Sequence, residues 1–376
     1  MSRLLTLGAC LTCAGLLFLA GCSVGPDYHR PVAVAGTNAV PSAFGESGTN
    51  STQWKAAEPA AHLPRGAWWQ IFGDEELNRL ETLATGGNQE LAAAVARFEQ
   101  ARSLVSVARS DFFPHVSAAP GYTRHRNSLN EHAINQSINQ NFNAFSFALD
   151  SSWELDLWGR VRRQVEAARA RLNAATNEIE AVKLAIQAEL AIDYFSARAL
   201  EAQLDLFQRA TQNFSRSLDL TRNRRVGGIA TDLDVAQAET QLRTTEALLP
   251  DAQLQHARFL HAIATLCGQP ATGFKVLPSK TELSDIPAIP LALPSELLER
   301  RPDIAAAEQR MAAANAEVGV AQSAFYPRIQ FRGLAGFQSI DAGTLFNWPS
   351  RFWAVGPSLE IPLFTGGRNR AQLSAQ

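Results

Sequence analysis

The sequence predicts an α+β membrane protein made of two αββα repeats, with four long strands and a helical hairpin of unusual length. Three observations carry that prediction. Residues 90–114 align without gaps on residues 303–327, with 11 of 25 positions identical, so one supersecondary unit is present twice. Residues 145–157 alternate apolar and polar side chains, as a strand with two unlike faces must. Residues 160–226 contain neither Pro nor Gly; as one helix they would span roughly 100 Å, far beyond an ordinary globular helix.

The bulk composition narrows the class. At 376 residues the chain can hold two or three domains. Its net charge of −2 leaves no basic footprint for nucleic acid. No apolar run after Gly21 approaches the ~20 residues of a spanning helix, so a membrane crossing requires a β-barrel.

The N-terminus carries an address. Arg3 precedes an almost wholly apolar run to Ala20, and Leu19-Ala20-Gly21-Cys22 follows. That is a secretory signal over residues 1–21 of the bacterial lipoprotein type, with Cys22 as the acylated first residue. Ser23, where an Asp would retain the protein at the inner membrane, points to the outer membrane. An ordinary signal with an incidental Cys is the alternative. Cys10 and Cys13 would leave with the signal, so Cys267 is the one remaining thiol and no intrachain disulfide can form. Residues 22–66 are rich in Pro, Gly, Ser, Thr and Ala and read as an extended, lipidated tether.

The first repeat covers residues 67–270. A helix between Asn88 and Phe113 is stopped by Pro114. A strand follows over His115–His125, then a polar loop at residues 126–140. In the next strand Phe145, Phe147, Leu149, Trp153, Leu155 and Leu157 fall on one face, and Asp150, Glu154 and Asp156 on the other. On the long helix Leu200, Leu204, Phe207, Thr211, Phe214, Leu218 and Thr221 step by 4 and 3, the spacing of coiled-coil packing. Gly227-Gly228 breaks it, and Thr231 or Asp232 caps a second helix that carries Leu233, Ala236, Thr240 and Leu242 toward Cys267, with a kink at Pro250. Residues 271–293 link to a second repeat over residues 294–376. Its strand places Trp353, Val355, Leu359, Ile361 and Leu363 opposite Ala354, Gly356, Ser358 and Glu360.

Four strands cannot close a membrane barrel, because single-chain barrels start at eight. Open edges in lipid leave backbone groups unpaired at several kcal/mol each, so other copies must complete the barrel: two copies give eight strands, three give twelve. A barrel continued by long helices on one side is a hollow conduit.

Within such a conduit Asp150, Glu154, Asp156 and Glu360 are expected to line the lumen rather than perform catalysis, since no nucleophile or positioned base accompanies them. His256, His261 and Cys267 lack the i, i+4 spacing of helical metal ligands, and no phosphate-binding glycine motif is present. No metal or cofactor is expected apart from lipid on Cys22. Arg162, Arg163, Glu166 and Arg169 read as a solvated helix face, and Arg301-Pro302-Asp303 as a helix start.

Several segments, in order along the chain, resemble the outer membrane factors, the TolC-like family, and within it the NodT-type efflux lipoproteins. They are Val24-Gly25-Pro26-Asp27-Tyr28, Trp68-Trp69-Gln70-Ile71-Phe72-Gly73-Asp74, Arg300-Arg301-Pro302-Asp303-Ile304 with Ala324-Phe325-Tyr326-Pro327-Arg328, and Ile361-Pro362-Leu363-Phe364. The resemblance implies a homotrimer with a 12-stranded barrel in the outer membrane and a periplasmic helical tunnel, serving as a passive exit duct for drugs or toxicants. It implies docking to a periplasmic adaptor and an inner-membrane pump of the RND class, with Arg225, Val226, Gly227, Gly228, Ile229 and Asp232 at the adaptor-facing tip. The family pattern also expects a second long hairpin with its own tip, so the sequence reads as C-terminally truncated at Gln376. A type I-like secretion duct and a structural periplasmic coiled-coil lipoprotein are the competing functions.

Overall fold

The computed structural model describes residues 23–30, 66–126, 141–278 and 300–376. After a short 3-10 turn at Trp68–Phe72 come helices α1 (Glu75–Gly87) and α2 (Gln89–Ser110), and strands β1 (His115–Arg126) and β2 (Asn141–Leu155). The long pair α3 (Arg160–Val226) and α4 (Asp232–Leu266) follows, then α5 (Pro302–Ser323), β3 (Arg328–Ser339), β4 (Arg351–Glu360) and α6 (Arg368–Ala375). Of the loop expected at 126–140, Arg126 ends β1 and residues 127–140 lie outside the described residues, as does Cys22. Two compact units emerge, one of residues 1–39, 99–174 and 306–376, the other of 40–98 and 175–305. The first gathers both strand pairs, so these units cut across the duplication.

In the first unit the strands form one antiparallel sheet in the order β1-β2-β3-β4. The β2–β3 pairing joins the two repeats, setting Trp153 opposite Phe331 and Glu154 opposite Gln330. β2 stops at Leu155, earlier than the alternation to Leu157 suggests. The cause is Asp156, whose carboxylate accepts from the amides of Val161 and Arg162 at 3.0 Å each and so closes the free N-terminus of α3.

Of the tether expected over residues 22–66, residues 31–65 lie outside the described residues. Residues 23–30 are docked on the first unit. Val24 donates its amide to Trp158 O at 3.0 Å. Arg163, 4 % exposed, donates to Gly25 O at 3.2 Å and pairs with Asp27 at 2.7 Å. Asn315 donates to Pro26 O at 2.9 Å. Gly25 has φ +104°, and a Cβ there would sit 2.4 Å from Gly319 Cα, so this position requires glycine; a Cβ at Gly319 would lie 3.0 Å from Val24 O. Arg163 therefore does not belong to a solvated face: it holds this segment, while Arg169 remains exposed as expected.

The second unit has its own core. Leu77, Leu80 and Ala84 of α1 meet Leu190, Ala191 and Tyr194 of α3 and Ile263 near the end of α4, with Cys267 beside them. From there α3 and α4 run as an antiparallel hairpin, marked by Glu201 to His256 at 3.3 Å and Arg222 to Glu239 at 3.8 Å. The seven residues from Leu200 to Thr221 that the heptad spacing singled out are all sheltered, with Leu218 at 4 % exposure. On α4 the sheltered row is Val235, Ala238, Leu242, Thr245, Leu249, Ala252, His256, Phe259 and Ile263. It again steps by 3 and 4. Of the residues named on this helix from sequence, Leu242 belongs to this row, while Leu233, Ala236 and Thr240 are exposed. The helix continues through Pro250, which is exposed.

Candidate functional site: two faces of one sheet and a hairpin tip

Opposite residues of an antiparallel pair point to the same side, so the registers divide the sheet into two faces. One carries Val116, Tyr122, Leu149, Trp153, Phe331, Trp353, Val355 and Leu359. These are all the large apolar strand residues that stand exposed among those described. The other face is mostly small and polar, with Phe142, Leu334 and Phe352, all partly sheltered, as its large apolar residues. It contains His115, Ser117, Asp150, Ser152, Glu154, Arg328, Gln330, Arg332, Ser358 and Glu360, and every acid on the strands is here. Arg124, Arg126 and Arg351 sit at one end of the apolar face, so its apolar band is bounded. Near the other end Trp153 donates to Phe112 O at 2.9 Å.

The expected polar residues have distinct fates. Asp150 and Glu360 are exposed on the polar face. Glu154 is held by Arg160 through two hydrogen bonds of 2.7 and 2.9 Å. Asp156 is a correction: it lies past the end of β2 and caps α3 instead of extending the acidic row, and it also pairs with Arg162 at 3.2 Å. The sequence reading missed Arg328 and Arg332, which the register sets on the same face as the acids. Even-numbered parity on β3 was the signal that could have found them.

The tip, in the second unit, is built by backbone geometry. Gly228 has φ +72°, which glycine adopts without strain. The Ile229 amide donates to Arg224 O at 2.8 Å, closing the end of α3. Of the two cap candidates Thr231 is the one used. Its hydroxyl accepts the Asp234 amide at 3.3 Å, and Asp234 accepts the Thr231 amide at 2.7 Å, a capping box. The Thr231 amide and hydroxyl hold the Asp234 carboxyl below the usual range. Arg225 and Asp232 form an ion pair across the turn. Val226 and Ile229 project at 88 % and 81 % exposure.

A family model described as outer membrane efflux protein matches residues 81–269 and 293–376. The chain is 33 % identical over 363 residues to SepC of Pseudomonas putida, a probable efflux pump outer membrane protein, covering 94 % of this chain and 73 % of the relative. It is 33 % identical over 362 residues to the outer membrane protein OprJ of Pseudomonas aeruginosa, covering 95 % of this chain and 72 % of the relative. Among solved structures, the outer-membrane channel OprN superposes with a TM-score of 0.76 at 32 % identity, over 94 % of this chain and 76 % of that one.

Proposed function

We propose, on the premise that this chain belongs to the outer membrane efflux protein family and is the outer-membrane component of an efflux pump, a working role for each of its surfaces. Three copies close their sheets into a 12-stranded barrel, and the α3–α4 hairpins continue it as a tunnel. The apolar face meets lipid. The polar face, with Asp150, Glu154, Glu360, Arg328 and Arg332, lines the lumen through which small molecules leave.

One observation carries this reading: the exposed large apolar residues and the acids of a single sheet lie on opposite faces, while neither outer edge pairs with another strand among the described residues. A soluble sheet would cover its apolar face with a second layer. A membrane barrel exposes it to lipid and closes its edges with further strands.

The tip residues Arg225, Val226, Gly227, Gly228, Ile229 and Asp232 contact a periplasmic adaptor, which joins the duct to an RND-class inner-membrane pump. Cys22 is acylated and anchors the chain in outer-membrane lipid. The duct performs no catalysis. Consistent with that, Glu154 is committed to Arg160 and Asp156 to a helix terminus.

The test is mass in mild detergent followed by conductance in planar bilayers. A trimer that conducts ions is the expected result. A monomer or dimer without conductance would remove the duct and leave the coiled-coil lipoprotein as the better reading.

A further inference from the structure

We infer that β4 of one copy pairs with β1 of a second copy in a defined register, Glu360 opposite Ser117, and that Phe364 of the first seats on Phe113-Pro114 of the second. The inference rests on the barrel reading above and goes beyond it by assigning the residues of the seam. Its basis is the internal repeat. The β2–β3 junction already joins the first repeat to the second within one chain. Between copies, β4 and β1 repeat that junction with the order of repeats reversed.

The internal junction is closed by Trp158. Its ring lies 4.9 Å from the Tyr326 ring, and its Nε1 donates to Pro327 O at 2.7 Å. The repeat alignment carries Trp158 to Phe364, and Tyr326-Pro327 to Phe113-Pro114. Phe364 is 91 % exposed and Phe113 71 % exposed. Both halves of the equivalent joint are thus present and empty-handed within one chain. Neither can reach the other intramolecularly in the sheet order, because β1 and β4 are its opposite edges.

The same mapping fixes the register. Trp153 and Phe331, opposite in β2–β3, become Leu359 and Ala118. Glu154 and Gln330 become Glu360 and Ser117. Two features that the mapping did not use agree with it. Leu359 and Ala118 both belong to the apolar face, and Glu360 and Ser117 to the polar one, so the faces continue unbroken across the seam. A shift by one residue would have exchanged them. Ser151 and Gly333 become Pro357 and Pro120, the prolines of β4 and β1. Neither has an N–H to donate, and placing them on one rung confines the loss to that rung. All ten residues of β4 then find partners within β1. The last rung sets Arg126 against Arg351, which is unfavourable for like charges; there Arg351 holds its guanidinium 3.8 Å from the Trp348 ring centre.

The joint differs from its internal counterpart in one respect. Phe364 can supply the ring contact, but it has no N–H for the Pro114 carbonyl.

Oxidative cross-linking of the membrane-extracted protein tests the register. Ser117→Cys with Glu360→Cys should give a covalent trimer that survives boiling in SDS, since directly paired strand positions meet disulfide geometry. Each single variant should give none. Ala119→Cys with Glu360→Cys, two residues out of register, should cross-link far less. Preferential linking of the 119–360 pair, or no 117–360 link in an intact trimer, would overturn the register. Absence of any oligomer from the wild-type protein would instead defeat the barrel reading itself. For the joint, Phe364→Ala should lower the temperature at which the trimer dissociates, and Phe364→Trp should hold or raise it. Equal dissociation of all three proteins would remove Phe364 from the seam.

Discussion

The Tyr194 hydroxyl donates a 2.8 Å hydrogen bond to Asp74 Oδ2, while Oδ1 of the same carboxylate accepts the amides of Glu76 and Leu77. One buried aspartate therefore starts α1 and ties it to the middle of the long helix α3. Tyr194 is 0 % exposed and Asp74 3 % exposed, so the loss of either partner removes a buried hydrogen bond. Tyr194→Phe should destabilise the helical unit by about 1–3 kcal/mol. Asp74→Ala, which also removes the cap, should cost about 1 kcal/mol more. Denaturant melts followed by circular dichroism measure both, and equal costs for the two variants would show that the cap contributes nothing.

Glu81 is fully buried and neither carboxylate oxygen has a hydrogen-bond partner among the described residues. Burial pushes its pKa up to about 8, and burial followed by the neighbouring Glu189 carboxylate raises Asp193 to about 6. A raised carboxyl pKa means that the folded state keeps a proton which the unfolded chain has already released. Stability is then fully present below the ordinary value of 4.5 and is lost as pH rises toward about 8. Glu81→Gln should flatten most of that decline in melting temperature, with Asp193 accounting for the remainder at lower pH. An unchanged slope in Glu81→Gln would show that another group controls it.

The docked N-terminal segment depends on two glycines meeting at a single point. Gly25→Ala would force a Cβ to within 2.4 Å of Gly319 Cα at a φ of +104°, and backbone strain of that kind costs about 1–3 kcal/mol. Residues 23–30 should leave their site and become cleavable by protease, while the sheet persists. Arg163→Ala should have the same effect from the other side of the contact, with a buried cation removed in place of a clash added. Protease resistance equal to wild type in both variants would mean that the segment is held by other contacts.

The hairpin should distinguish two neighbouring leucines. Leu218 is 4 % exposed and Leu220 53 % exposed. Leu218→Ala should cost about 2–5 kcal/mol, the range for a buried leucine. Leu220→Ala should change the stability of the isolated chain by less than about 0.5 kcal/mol. If Leu220→Ala proves costly only in the assembled protein, its face packs against another copy.

Much of the architecture was legible in local pattern. Unbroken freedom from Pro and Gly set the span of α3, from Arg160 to Val226. The heptad from Leu200 to Thr221 named its packed face, and the strict alternation around Trp153 named the two faces of β2. These features depend only on the geometry of a single helix or strand, so spacing along the chain suffices to read them.

What the local pattern left undecided depends on partners distant in sequence. Arg163 looked like one more surface cation until Gly25 and Asp27, far upstream, came to rest on it. Asp156 continued the acidic row in parity, but the free amides at the start of α3 were closer than the next strand position. Leu233 looked as apolar as Leu242, and only the register against α3 decided which of them is buried. Arg332 entered the polar face through its pairing opposite Ser152. Periodicity determined which side of an element is apolar. Which neighbour each side meets was decided by long-range register and by the demand of every buried charge and free backbone amide for a partner.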